Sequence, residues 1–263
     1  MKEIIGTHNL LFVTLDTLRY DVAQDLLQRG ETPHLAKLVG PTWEERHTPG
    51  SFTYAAHHAF FSGFLPTPAR PRAGEKRLFA SRFAGSETTG PDTFVFDEAD
   101  VVRALRARDY YTICIGGVGF FNKQNALSRV FPDLFDESHW STSLGVTEPD
   151  STGNQFRLAQ EILGRMADDK RFLLFINISA LHQPNRFYLE GAREDSLQSH
   201  AAALRYVDAQ LPILTGALQQ HGAPTFYIIC SDHGTAYGEE GYQGHRLAHP
   251  TVWTVPYAHG VLR

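Results

Sequence analysis

The chain of 263 residues contains only two cysteines, Cys114 and Cys230, each inside an apolar, strand-like run. That usage excludes a disulfide-stapled scaffold and reads as two buried, reduced thiols. No apolar stretch approaches the roughly 20 residues that span a bilayer, so membrane-spanning helices are not expected. Basic residues are not in excess: Lys and Arg number 24 against 29 Asp and Glu, for a net charge of -5. A nucleic-acid partner favours a basic face, and none is expected here. The opening Met-Lys-Glu-Ile-Ile-Gly-Thr-His lacks the uninterrupted apolar core of a secretory signal, because Glu3, His8 and Asn9 break it. The expectation is a cytoplasmic protein with no membrane partner. There is no internal repeat, no G-x-S-x-G elbow, and Gly116-Gly-Val-Gly119 is not G-x-G-x-x-G. The glycines after that strand read as a turn or a close packing contact.

What the chain does have is 42% hydrophobic residues, enough for the core of one large α/β domain over 1–263. Leu10–Leu15, Tyr111–Ile115, Phe172–Ile178 and Phe226–Cys230 are short apolar runs rich in β-branched and aromatic residues. They read as strands buried on both faces. Between them lie helical patterns: Thr32-Pro33 as N-cap and first position of a helix through Leu38, then Tyr54–Phe61, Glu98–Arg108, Thr152–Met166 and Ser199–Leu218. Pro212 inside the last predicts a kink or break. Pro66–Pro91 reads as a long surface loop, Thr93–Phe96 as a short strand and Asn122–Pro149 as irregular. Strands alternating with helices predict an α/β fold: a mostly parallel central sheet with helices on both faces.

Ligands of open α/β sheets bind beyond the carboxyl ends of the strands. Three predicted strands end in residues suited to chemistry: Asp16, Ser179-Ala-Leu-His182, and Asp232-His233. Two carboxylates and imidazoles converging at one edge can hold a divalent metal, whereas any one of them alone is an ordinary loop cap. Thr53 stands at a helix start, where free N–H groups and the helix dipole favour an anion, and where a metal can activate a hydroxyl. Local sequence alone favours a plain N-cap role for Thr53 or Ser51. Arg19 suits an anion clamp, or an ion pair with Asp21 or Glu44. Of the adjacent His57 and His58, only one can face the site, and His57 is the expected one. A Ser-His-Asp hydrolase built on Ser231, Asp232 and His233 is the rival enzyme class. His259, in an apparent C-terminal strand, reads as packed.

With those residues in place, the chain resembles the alkaline phosphatase/sulfatase superfamily. Thr14-Leu-Asp-Thr-Leu-Arg-Tyr-Asp21 is similar to its opening strand and metal aspartate, and Thr32-Pro-His-Leu-Ala-Lys-Leu38 to the helix after it. Thr53-Tyr-Ala-Ala-His-His-Ala-Phe-Phe-Ser-Gly63 resembles the nucleophile segment, and His182-Gln-Pro184 the active-site histidine and proline. Ser231-Asp-His-Gly234, Gly238-Glu-Glu-Gly241, His245 and Val255-Pro256 resemble the C-terminal block of phosphoethanolamine transferases.

The resemblance implies an alkaline-phosphatase-like fold with Asp16, Thr53, Asp232 and His233 as ligands of one metal. It also implies that Thr53 is the nucleophile, with His182 and His245 facing the substrate and Arg19 and His57 available to bind it. The chain departs from typical sulfatases in having Thr53 instead of the modified cysteine, His57 instead of an arginine, and Thr17 instead of a second aspartate. Zinc or manganese suits that donor set better than calcium. The middle strand lacks the aspartate of two-metal members, which leaves a second ion to His182, His245 and His249. The implied activity is metal-dependent hydrolysis of a small anionic ester, a phosphate mono- or diester or a phosphonate before a sulfate, through a phosphothreonine intermediate. A phosphoryl-group transferase and a non-catalytic metal- or anion-binding module of the same fold are the alternatives. Oligomeric state is not readable.

Overall fold

The computed structural model describes residues 3–63 and 100–263. Chain order is β1 (Asn9–Leu15), α1 (Tyr20–Gln28), α2 (Pro33–Val39), β2 (Glu44–His47) and α3 (Thr53–Ser62), then α4 (Val101–Arg106), β3 (Tyr111–Ile115) and α5 (Ala126–Arg129). There follow β4 (Glu137–His139), α6 (Ser151–Gly164), β5 (Phe172–Ile178), α7 (Leu197–Gln220) and β6 (Thr225–Cys230). The chain closes with β7 (Ala236–Tyr237), β8 (Gln243–Gly244), α8 (Pro250–Trp253) and β9 (Thr254–Leu262). The loop expected at Pro66–Pro91 and the strand at Thr93–Phe96 lie outside the described residues, as does the start of the helix expected from Glu98.

Seven strands form one sheet in the order β2-β9-β6-β1-β5-β3-β4, and β9 alone runs against the others. The alternation of apolar residues along each central strand splits the core in two. Leu11, Val13 and Leu15 of β1 and Leu174, Ile176 and Ile178 of β5 face α1, α2, α6 and α7. Leu10 of β1 and Leu173 and Phe175 of β5 face the other way, against Phe61 of α3 and Val102 and Leu105 of α4. Phe121, Phe131 and Phe135 complete this second, aromatic core, with Phe61 and Phe175 in edge contact at 5.1 Å. The mostly parallel sheet with helices on both faces is thus observed.

Local differences have clear causes. The irregular stretch expected at Asn122–Pro149 contains α5 and the edge strand β4. Glu137-Ser-His139 has no apolar alternation to reveal a strand. Thr32 starts α2 but makes no capping bond; the Asp208 carboxylate of α7 accepts from His34 N and Leu35 N (2.6 Å to Leu35) instead. α7 continues through Pro212 as one helix of 24 residues. Gly117 is a close-packing glycine, as expected after β3. A Cβ there would lie 2.3 Å from the Asn177 carbonyl oxygen, so no other residue fits without moving the strand.

Candidate active site

β1, β5 and β6 are adjacent and parallel, so their carboxyl ends deliver Asp16, Asn177 and Asp232-His233 to one spot. Leaving β1, Thr17 adopts a left-handed backbone (φ 65°), which is costly for a β-branched residue. That turn aims Thr17 N at Asp232 Oδ1 (3.2 Å), and His233 N donates to the same oxygen (3.0 Å). Asp16 Oδ2 accepts from Asn177 Nδ2 (3.2 Å) and from the Thr53 hydroxyl (3.3 Å). Thr53 Oγ1 also lies 3.2 Å from His233 Nε2. His233 Nδ1 donates to the Gly234 carbonyl (2.9 Å), which leaves the Nε2 lone pair directed at the hydroxyl.

Thr53 is the first residue of α3 and makes no capping bond, so the plain N-cap reading is corrected. Its hydroxyl is drawn away from the helix by Asp16 and His233, at 2% exposure. The rival triad is also corrected: Ser231 Oγ donates to the His233 carbonyl, not to its ring.

Behind Thr53, His57 is wholly enclosed by Phe60, Phe61, Phe121 and Phe175. Burial holds its pKa down at about 3, so the ring is neutral. Its Nδ1 donates to the Thr53 carbonyl (2.8 Å), and its Nε2 accepts from the Thr14 hydroxyl (3.0 Å). Asn177 Nδ2 donates in turn to Thr14 Oγ1 (3.2 Å), and Asn177 Oδ1 accepts from Val118 N (3.0 Å). His57 therefore points inward as expected but touches no open space, and its expected substrate-binding role is corrected to positioning α3. Arg19 forms the ion pair with Asp21 that was its alternative reading, and the anion-clamp reading is corrected. Its guanidinium is bonded to Asp21 (2.9 and 2.5 Å) and to Glu239, at 3% residue exposure, and does not line the cleft.

Asp16 and Asp232 are both completely buried. Burial, and then the charge of Asp232, push the Asp16 pKa up to about 6. Burial pushes Asp232 up to about 7 against the two N–H groups it accepts from. Asp16 Oδ1 and Asp232 Oδ2 have no hydrogen-bond partner among the described residues. Two orphaned, buried carboxylate oxygens beside an imidazole lone pair suit a cation and little else. The ligand atoms of Asp16, Asp232 and His233 all lie within 4.8 Å of one another. A divalent ion with mixed oxygen and nitrogen ligands fits them, with the Thr53 hydroxyl alongside.

Above Thr53 opens a cleft of about 340 Å³. His182, His245 and Arg246 line it beside Thr53, and Val118, Phe120, Leu127 and Val146 form an apolar wall. His182 Nδ1 donates to the Gln183 carbonyl (2.5 Å), leaving Nε2 available to the cleft. The His182 and His245 rings are 5.8 Å apart, and His245 is 4.6 Å from His233. Burial and the neighbouring His233 hold His245 down to about 3. His249 turns elsewhere, onto Thr251 (2.7 Å) and towards Glu240. Among the described residues no second group of three metal-ligating side chains forms, and the second-ion reading has no such support.

Sequence reasoning missed Asn177 and Arg246. The single amide in the otherwise apolar run Phe172–Ile178 was a signal for the first. Arg246 had none beyond its place next to His245.

A mostly parallel sheet thus gathers two carboxylates, an imidazole and a buried hydroxyl at its carboxyl edge. The sulfatase family model matches residues 8–258, and the chain belongs to that family. No curated protein matches it. Among solved structures it is similar to the C-terminal periplasmic domain of the phosphoethanolamine transferase EptC from Campylobacter jejuni. The TM-score is 0.64 at 14% identity, over 97% of this chain and 80% of that one. It is also similar to the periplasmic domain of EcEptC from Escherichia coli in complex with Zn, with TM-score 0.66 and 14% identity over 98% and 73% of the two chains. A third similar structure is an alkaline phosphatase superfamily protein from Vibrio parahaemolyticus, with TM-score 0.61 and 17% identity over 97% and 60%. Two of these are C-terminal periplasmic domains, and this corrects the expected cytoplasmic location. The same fold is carried outside the cytoplasm behind other sequence, so the broken apolar opening of this chain is no guide to its compartment. No described helix is long and apolar enough to cross a membrane.

Proposed function

We propose that the protein is a metal-dependent hydrolase of a small phosphorus ester, with Thr53 as the nucleophile. The observation that carries this reading is the Thr53 hydroxyl, held between Asp16 Oδ2 and His233 Nε2 beside two carboxylate oxygens that lack partners. Asp16, Asp232 and His233 would hold a divalent ion, with Thr53 as a fourth ligand. Such an ion would lower the pKa of the hydroxyl and neutralise charge on the phosphoryl oxygens. Zinc is favoured by the carboxylate and imidazole donors and by the zinc complex of the similar E. coli domain, with manganese next.

The rest of the step falls to the chain itself. Thr53 Oγ forms a bond to phosphorus as the ester oxygen–phosphorus bond breaks. His182 Nε2 gives the departing oxygen a proton, and the proton of the hydroxyl passes to solvent. His245 holds a phosphoryl oxygen as charge shifts onto it. His57 fixes the carbonyl of Thr53, so that the hydroxyl keeps its direction. Water then attacks the phosphothreonine and restores the enzyme. An alcohol in place of water makes the same site a transferase, a second reading supported by the similarity to a phosphoethanolamine transferase domain. Small anionic esters are the partners this site suits; nucleic acid and membrane have no part in the reading.

The test is a panel of chromogenic phosphate monoester, phosphate diester, phosphonate and sulfate. Each is offered to chelated protein refilled with zinc, manganese, magnesium or calcium, beside Thr53→Ala. Metal-dependent turnover that disappears in Thr53→Ala supports the reading. A folded protein that binds metal and turns over none of the esters overturns it in favour of a non-catalytic module.

A further inference from the structure

Arg246 stands at the mouth of the cleft with no role yet assigned. Among the described residues no carboxylate lies within ion-pair distance of it, although the other arginine beside the site, Arg19, is bonded to two. Its backbone adopts a left-handed conformation (φ 70°), unusual for a long side chain. Its N–H donates to the Ser51 carbonyl (2.8 Å), two residues before Thr53. Its guanidinium lies over the Phe52 ring, 5.2 Å from the centroid. Backbone bond and ring contact together pin a charged fork to the loop that carries the nucleophile. Its side chain lines the cleft beside Thr53, His182 and His245.

The cleft is also one-sided in charge. Among the described residues no aspartate or glutamate lines it, and the rest of its wall is uncharged, apolar side chains mixed with Asn122, Asn125 and Ser128. A phosphoryl oxygen suits Arg246, since a guanidinium matches phosphate geometry. A neutral organic group suits Val118, Phe120, Leu127 and Val146. A cationic arm on the phosphorus would meet Arg246 with no carboxylate to offset the repulsion.

We propose that Arg246 is the charge-selecting residue of the cleft: it holds a non-bridging phosphoryl oxygen, and the cleft takes esters with neutral groups on phosphorus and rejects cationic ones. This rests on the reading of the site as a phosphoryl-ester site.

The test uses the full chain loaded with zinc, as wild type, Arg246→Ala and Arg246→Lys. Two aryl phosphate diesters with the same leaving phenol are compared, one carrying a methyl group and the other an aminoethyl group. Inorganic phosphate binding is measured separately by calorimetry. The wild type is expected to favour the methyl diester in kcat/KM by about tenfold or more, and Arg246→Ala to bind phosphate about tenfold or more weaker. Arg246→Ala should also bring the two esters close together, and Arg246→Lys should keep most of the discrimination, which a merely structural role would not produce. Equal or better turnover of the aminoethyl diester by the wild type overturns the proposal, as does unchanged phosphate affinity in Arg246→Ala. If the wild type turns over neither diester, the hydrolase reading fails, and the calorimetry alone decides whether Arg246 binds the anion.

Discussion

Asp232→Asn offers a test in which losing a proposed metal ligand raises stability. Asp232 is fully buried, and its nearest basic neighbours, His57 Nδ1 at 3.6 Å and His233 Nε2 at 3.5 Å, belong to rings held neutral by burial. Without metal, its carboxylate has no counter-charge, and its pKa stands at about 7 against an ordinary 3.8. At pH 8 that difference amounts to on the order of 4 kcal/mol of destabilisation. Asn keeps Oδ1 for Thr17 N and His233 N, and burying its amide returns about 1–2 kcal/mol of the gain. The metal-free variant should therefore be more stable than metal-free wild type by roughly 2–3 kcal/mol, about 5–10 °C in Tm for a chain of this size. The sign follows from linkage. A carboxyl whose folded pKa is raised destabilises fully above about 7, and the effect is lost as pH falls towards 3.8. The Tm gap should shrink by more than half at pH 5. Zinc should then raise the wild-type Tm and leave Asp232→Asn nearly unmoved. Calorimetric scans at pH 8 and pH 5, with and without zinc, read all of this. A metal-free variant that melts below wild type at pH 8, or a gap independent of pH, would refute the charge-burial argument.

Other expected outcomes follow from the same contacts. Thr53→Ser should keep measurable turnover while Thr53→Ala loses about a thousandfold or more, with zinc affinity in calorimetry only modestly weakened. His57→Ala should cost about 3 kcal/mol in urea unfolding, because it opens a hole among five phenylalanines, and should lower kcat more than it raises KM. Asp208→Ala should cost about 1–2 kcal/mol in the same assay, by stripping the N-terminus of α2 of its capping carboxylate, with kcat unchanged. His57 and His200 are held down at about 3 and about 4 against an ordinary 6.5, so below pH 6.5 the unfolded chain takes up their protons first. Between pH 6 and 4 these two groups remove up to about 3 kcal/mol per pH unit, which acid titration followed by circular dichroism reads as a steep loss of fold.

Central strands were legible because burial on both faces leaves unbroken apolar runs, as in Phe172–Ile178. The buried aspartates Asp16 and Asp232 were legible because they end such runs. β2 and β4 were not, since Glu44-Glu-Arg-His47 and Glu137-Ser-His139 pair at the sheet margins with no apolar face to declare them. The two readings of Thr53 could not be separated locally, because its partners lie 37 and 180 positions away. For Arg19 the anion clamp and the ion pair with Asp21 stood side by side, because Glu239, 220 positions distant, was invisible as its second partner. His57 looked like a substrate ligand because adjacency on a helix shows direction but not enclosure. Arg246 depends on a left-handed turn and a contact with Phe52, neither of which has a periodic signature.

The central claim is that Thr53 attacks the phosphorus, and the most direct measurement is to catch it bonded. Zinc-loaded protein is mixed with the best ester of the panel, quenched in acid within one turnover, digested and analysed by mass spectrometry. A phosphoryl adduct on Thr53 that forms and decays at the rate of turnover is the predicted result. Turnover with no adduct, or with the adduct on another residue, would contradict the account.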